Sequence, residues 1–292
     1  MTAQHLALQL PSPLVELDDE RLTDAGVRVL LKRDDLIHPE LTGNKWRKLK
    51  YNLEAARECG ARTLLTFGGA YSNHIRAVAA AGHYFGFGTV GVIRGEEHRP
   101  LNETLAYATR KGMRLTYLDR TTYREKAEPW VIARLRGRFG DFYLIPEGGS
   151  NRLAIPGCAE LVDEITEPFE VICCPVGTGG TLAGIASALR AGQRAVGFSV
   201  LKGSDFLYHD VAALQSEALG EVTDNWIIET EFHHGGYAKT SDELEAFIAE
   251  FEELHELRLD SIYTGKMVYG LFRLIERDEF PSGTTMVAVI TG

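Results

Sequence analysis

Two short stretches carry residue types suited to covalent and anion-binding chemistry. The first is Thr42-Gly43-Asn44-Lys45-Trp46-Arg47-Lys48-Leu49-Lys50, where four cations crowd the start of a region patterned as a helix. Helix starts favour Asp and Glu because their free N–H groups carry partial positive charge, so a lysine there holds its proton less firmly. Two readings are open. The run is a solvated basic face, or Lys45 turns inward and offers a neutral amine for imine formation with an aldehyde, leaving Arg47, Lys48 and Lys50 to face solvent.

The second stretch is "CCPVGTGGTLAGI", a strand, then Gly177, Thr178, Gly179, Gly180 and Thr181, then a helix. Glycines let backbone approach a ligand, and the helix start presents N–H donors to an anion, which suits a phosphate. Tight packing of a strand–helix turn is the plainer alternative. No lysine stands where a Walker A loop needs one, Leu182 replaces the third glycine of a dinucleotide fingerprint, and the ribose-binding acid about 20 residues on is missing. A nicotinamide oxidoreductase is therefore disfavoured. An aldehyde for the lysine and a phosphate for the glycines are supplied together by pyridoxal 5'-phosphate.

A third strand-to-helix turn, "TFGGAYSNHIRA", places Ser72, Asn73 and His74 at the bend. By itself Ser72 is an ordinary N-cap. "IPEGGSNRLAIPG" is glycine-rich but offers little chemistry alone.

The elements that must position these residues alternate. Candidate strands are "VRVLLK", "RTLLTFG", "GTVGVI", "MRLTYL", "FYLIP", "EVICCPV", "AVGFSV" and "TTMVAVI"; helical patterns such as "SNHIRAVAAAGHYFG" and "TLAGIASALRAG" lie between several of them. This is the signature of an α/β protein with mostly parallel sheets. A capping box of Thr240 and Glu243 is expected before "SDELEAFIAEFEELHEL". No repeat or linker marks a domain boundary.

The chain has 292 residues, a net charge of -10 and 45% apolar residues, enough for one large or two modest cores. The acidic balance argues against nucleic-acid and membrane-surface binding. No apolar run is long enough to span a bilayer and the N-terminus lacks a cleavage signal, so a cytoplasmic protein is expected. Cys59, Cys158, Cys173 and Cys174 form no CxxC and are expected as reduced structural thiols. No histidine spacing calls for a metal.

Taken together, "LLKRDDL…TGNKWRKL", "GAYSNHIRAVAAAG", "IPEGGSN", "VGTGGTLAGI" and "YTGKMVYGL" resemble the tryptophan-synthase-β-like (fold type II) pyridoxal phosphate enzymes, in the branch containing D-cysteine desulfhydrase and 1-aminocyclopropane-1-carboxylate (ACC) deaminase. The resemblance runs through nearly the whole chain. It implies two open α/β domains, a large one from residues 1–50 and 160–292 and a small one from 51–159, with the cofactor in the cleft and a homodimer. It implies that Lys45 holds the cofactor as an imine and moves the α-proton. Asn73 would bond the cofactor's phenolic oxygen, and Gly177, Thr178, Gly179, Gly180 and Thr181 would cradle its phosphate. Ser72, with the N–H groups of Asn73 and His74, would receive the substrate carboxylate. Tyr237 and Tyr263 match active-site phenols; without the resemblance each is a packing residue.

Thr264 and Thr291 bear on the substrate. In the ACC deaminase branch the matching residues are Glu and Leu, and a carboxylate beside the pyridine nitrogen strengthens the electron sink that ring opening demands. Threonine at both places matches the desulfhydrase pattern, so β-elimination from a small D-amino acid, D-cysteine first, is the expected reaction. ACC deamination to 2-oxobutanoate and a silent ligand-binding relative are the alternatives. Tyr71 stands where relatives carry Gln. Thr291 lies next to the last residue, where side chains are expected to be loosely held.

Overall fold

The computed structural model describes residues 6–97 and 99–292. It divides into two compact units, one made by Leu49–Gly149 and the other by Gln9–Lys48 with Ser150–Gly292. Ten strands follow in chain order: β1 (Leu14–Glu16), β2 (Arg28–Lys32), β3 (Thr63–Gly68), β4 (Gly88–Arg94), β5 (Met113–Leu118), β6 (Tyr143–Ile145), β7 (Val171–Val176), β8 (Arg194–Ser199), β9 (Trp226–Glu229) and β10 (Thr285–Val289). Eight of them fall on the stretches expected from sequence. The other two, β1 and β9, have only three and four residues, too few for a period-two pattern to emerge.

The larger unit holds a six-stranded sheet in the order β1-β2-β10-β7-β8-β9. Every pair in it is parallel except β1 with β2. All six residues of β7, "VICCPV", are buried, as a central parallel strand covered on both faces must be. Its side chains alternate. Val171 and Cys173 join a core with Phe247, Phe251, Met267, Leu271 and Phe272. Ile172, Cys174 and Val176 join another with Ile155, Leu161, Leu182, Ile185 and Val211. The second core explains the domain edge. Helix Ala154–Asp163 contributes Ile155 and Leu161 to the larger unit, so that unit begins at Ser150 and not at residue 160.

The smaller unit carries a four-stranded parallel sheet in the order β5-β4-β3-β6. Its core gathers Leu65, Phe67, Val90, Val92, Val131 and Leu135. The architecture is α/β with mostly parallel sheets in both units.

All four cysteines are free thiols, and burial pushes the Cys174 thiol up to about 12. The capping box expected at Thr240 is displaced by one residue. Ser241 caps helix Asp242–His255 by accepting from the Leu244 N–H, while Glu243 instead accepts from the Tyr269 hydroxyl. Ser241 takes the cap because its backbone is extended (φ -136°, ψ 159°) directly before the first helical residue. No helix among the described residues is long and apolar enough to cross a membrane.

Candidate active site

Lys45 sits in the first turn of helix Asn44–Glu58, after the tight turn at Gly43. Gly43 has φ +50°, and a Cβ there would fall 1.5 Å from the Thr291 carbonyl oxygen. Only glycine allows the chain leaving β10 to pass so close. The near-terminal Thr291 is accordingly 3% exposed, and the loose placement expected from its position does not occur. The Ile290 carbonyl accepts from the Asp35 N–H at 2.9 Å and anchors that end further.

The Lys45 amine is bonded to no other described residue. Removal from water, then the nearby Lys48 ammonium, brings its pKa down to about 7, against an opposing pull from Cys158 and Asp260. An amine that is half neutral near physiological pH is a nucleophile.

The neighbouring cations do not face solvent as expected. Arg47 is 2% exposed and Lys48 3%. Arg47 Nε donates to Asp34 Oδ2 at 2.6 Å and Nη2 to Asp34 Oδ1 at 2.8 Å, and both of its terminal nitrogens reach Glu164. Burial alone would loosen its proton, but Asp34 and Glu164 more than offset that and hold it charged. The wholly buried Lys32 bonds Glu164 at 2.6 Å. Two cations thus meet two carboxylates, which explains how a basic run can begin a helix and still be buried. Lys50 lies over the Tyr51 ring at 4.8 Å.

The glycine turn joins the lysine turn directly, since Asn44 Nδ2 donates to Thr181 Oγ1 at 3.0 Å. Gly179, at φ +77°, caps helix Gly180–Ala188 with no side chain on the first N–H groups. At Gly180 a Cβ would meet Ser150 Oγ at 2.5 Å. Ser150 Oγ in turn bonds Thr178 Oγ1 at 2.6 Å and accepts from Lys48 Nζ at 3.1 Å. A buried lysine, whose burial lowers its pKa, therefore stands one hydroxyl behind the N–H and O–H groups of the turn. That is an anion cradle sized for backbone contact, and together with the Lys45 amine it fits a phosphorylated aldehyde.

Tyr263 lies over this turn, with Cε1 3.3 Å from the Cβ position of Gly177. Its ring meets that of Tyr237 edge-on at 6.0 Å. Tyr237 belongs to a loop in which His234, Gly235, Gly236 and Ala238 all have positive φ. Lys266 Nζ donates to the carbonyls of His233 and Gly236 at 2.9 and 2.8 Å and holds that loop. Thr264, 2% exposed, opens helix Thr264–Glu276 next to Tyr263. The larger unit therefore brings Lys45, the 177–181 turn, Tyr237, Tyr263, Thr264 and Thr291 into one connected set of contacts.

Ser72, Asn73 and His74 belong to the smaller unit. Ser72 caps helix Asn73–Phe85 by accepting from the Ile75 N–H at 3.3 Å. The His74 ring turns inward to Thr66 Oγ1 at 2.8 Å. Because Thr66 donates its own proton to the Ile145 carbonyl, the imidazole Nε2 is the donor in that pair. Tyr71 is 69% exposed, and Asn102 Nδ2 steadies the loop by donating to the Ala70 carbonyl at 2.9 Å.

Sequence reasoning missed Asn44, Lys48, Ser150, Asp260 and Lys266. For Asn44 and Ser150 a signal existed in their places beside Lys45 and after the paired glycines of "IPEGGSN". The partners of Lys48 and Lys266 depend on tertiary placement alone.

An unpaired amine near neutrality beside a glycine anion cradle, carried on a parallel α/β sheet, defines a site of the pyridoxal phosphate class. Comparison with known proteins agrees: the chain belongs to the family described as "Pyridoxal-phosphate dependent enzyme", whose model matches residues 6–292. It is 32% identical over 294 residues to the mitochondrial bifunctional D-cysteine desulfhydrase/1-aminocyclopropane-1-carboxylate deaminase of Arabidopsis thaliana, covering 92% of this chain and 72% of that protein. It is 28% identical over 324 residues to D-cysteine desulfhydrase of Yersinia pseudotuberculosis, covering 100% and 96%. Among solved structures, an ACC deaminase homologue superposes with a TM-score of 0.85 at 27% identity, over 99% of this chain and 93% of that one.

Proposed function

We propose that this protein is a lyase performing α,β-elimination on a small D-amino acid, with D-cysteine the leading substrate and pyruvate, ammonia and sulfide the products. The observation that carries this reading is the unpaired, near-neutral Lys45 amine joined through Asn44 to the 177–181 cradle. When bound, pyridoxal phosphate supplies an electron sink for charge developing at the substrate α-carbon. Lys45 Nζ removes the α-proton. The 177–181 turn would hold the phosphate, backed by Lys48 through its hydrogen bond to Ser150. Asn73 orients the phenolic side of the cofactor, while Ser72 and the first N–H groups of its helix take the substrate carboxylate. The hydroxyls of Tyr237 and Tyr263 would donate to the departing thiolate, and Thr264 and Thr291 would face the cofactor's ring nitrogen.

Threonine at 264 and 291 supports elimination from a substrate with an acidic α-hydrogen over opening of a cyclopropane. One observation favours the second reading, ACC deamination: the Thr264 hydroxyl is bonded to the Asp260 carboxylate, which brings negative charge one bond behind it. Offering D-cysteine, L-cysteine, β-chloro-D-alanine and ACC separately to the purified holoenzyme decides between them. Sulfide and pyruvate from D-cysteine are expected. Turnover of ACC with none of D-cysteine would overturn the proposal, and turnover of neither would point to a silent relative. Four free thiols suit a reducing compartment such as the cytoplasm. A homodimer is part of the proposal, and sedimentation at the mass of two chains is its test.

A further inference from the structure

The hydrogen bonds around Thr264 fix which way its hydroxyl points. Asp260 precedes the helix that Thr264 begins, and its carboxylate accepts three backbone N–H groups: Ile262 at 2.9 Å and Tyr263 at 2.7 Å on Oδ1, and Thr264 at 2.9 Å on Oδ2. The Thr264 hydroxyl also bonds Oδ2. A carboxylate has no hydrogen to give, so Thr264 is the donor there. One lone pair of Thr264 Oγ1 is taken by the Asp260 N–H at 3.1 Å. What remains on Oγ1 is a single lone pair. With its proton committed, Thr264 can meet any further ligand atom only as an acceptor.

We propose that Asp260 is a positioning residue that, by holding the Thr264 proton, makes Thr264 select the protonated form of the cofactor's ring nitrogen. This rests on the reading above that Thr264 meets that nitrogen. A threonine free to rotate could donate to an unprotonated pyridine instead. Here that would break a bond to an anionic carboxylate, one of the stronger kinds of hydrogen bond. The neutral hydroxyl thus relays the preference of a carboxylate that stands one residue layer back, so the electron sink is stronger than the threonine alone implies.

The test is nitrogen-15 NMR of the holoenzyme reconstituted with pyridoxal phosphate labelled at the ring nitrogen. The wild-type resonance is expected in the protonated range. Asp260→Asn and Thr264→Val should each move it downfield toward unprotonated pyridine, whereas Thr264→Ser should leave it in place. Loss of a helix cap alone would lower cofactor affinity and melting temperature without moving the resonance of the loaded fraction. An unprotonated wild-type nitrogen overturns the proposal. So does a Thr264→Val shift with none in Asp260→Asn, which leaves Thr264 at the nitrogen and removes Asp260 from the account. No shift in Thr264→Val removes the placement of Thr264 itself. Should Asp260→Asn not fold, Asp260→Ser, which keeps a capping hydroxyl and removes the charge, takes its place with the same two outcomes.

Discussion

Arg47 grips Asp34 through two parallel hydrogen bonds, at 2.6 and 2.8 Å, with both side chains almost wholly out of water. Their neighbours Lys32 and Glu164 complete a cluster of two positive and two negative groups. Removing one member leaves a buried charge uncompensated, which costs about 3–5 kcal/mol. Arg47→Met should therefore lower unfolding stability by about that amount in urea titrations, and Arg47→Lys should not restore it, because a single ammonium cannot reproduce the planar fork.

Acid should find the same cluster. Burial alone would raise the Glu164 pKa, but its bonds to Arg47 and Lys32 outweigh that and hold it below its ordinary 4.5. A carboxylate depressed in the folded state contributes stability that is fully present above its unfolded value and is lost as pH falls through its folded value. Urea midpoints should thus drop as pH falls below about 4.5, and Glu164→Gln should flatten that limb of the profile.

The amine of Lys45 titrates near pH 7, and only its neutral form attacks an aldehyde. Reconstitution of the apoprotein with pyridoxal phosphate, followed by stopped-flow absorbance, should slow about tenfold for each pH unit below that point. It should level off above about pH 8. Lys45→Ala should leave no cofactor attached to the protein after borohydride reduction at any pH. A rate still rising steeply at about pH 9 would show an ordinary lysine.

Gly180→Ala should fold but bind cofactor poorly. Its new methyl meets the Ser150 hydroxyl, 2.5 Å away, and can be accommodated only by displacing the group that bonds Thr178. A loss of tenfold or more in affinity, about 1.4 kcal/mol, is expected from equilibrium dialysis with little change in melting temperature. Gly43→Ala should fail earlier: its clash is with backbone and its φ is left-handed, so lost soluble yield is the expected result.

Lys266→Met should loosen the 233–238 loop, because two carbonyls lose their donor at about 1–3 kcal/mol each. Amide exchange at Tyr237 and Ala238 should accelerate while helix Thr264–Glu276 stays protected.

How much of this was legible in the chain depends on how local each cause is. β7 and the 177–181 turn could be read because "VICCPVGTGG" carries its own strand, glycines and helix start. Lys45 stood out because it violates a local rule, the preference of helix starts for acids. The fates of Arg47 and Lys48 could not be read, since Glu164 and Ser150 lie over a hundred residues away and no periodicity links them. The same holds for Thr291, whose burial depends on Gly43 at the other end of the chain. Asp260 was hidden differently: its effect is a direction of hydrogen bonding, which residue types alone do not specify.

The place of β10, between β2 and β7, has a consequence for biosynthesis. Strands β1 and β2 share no edge with β7, β8 and β9 until β10, which follows all of them in the chain, slots between them. Residues 49–149 emerge long before, and with their own parallel sheet they can condense while β2 still waits. Lys32 and Arg47 likewise have no Glu164 to meet until the chain has grown over a hundred residues beyond them. Translation stalling ahead of residue 285 would thus release a product with one sheet formed and the other split in two, a natural target for chaperones and quality-control proteases.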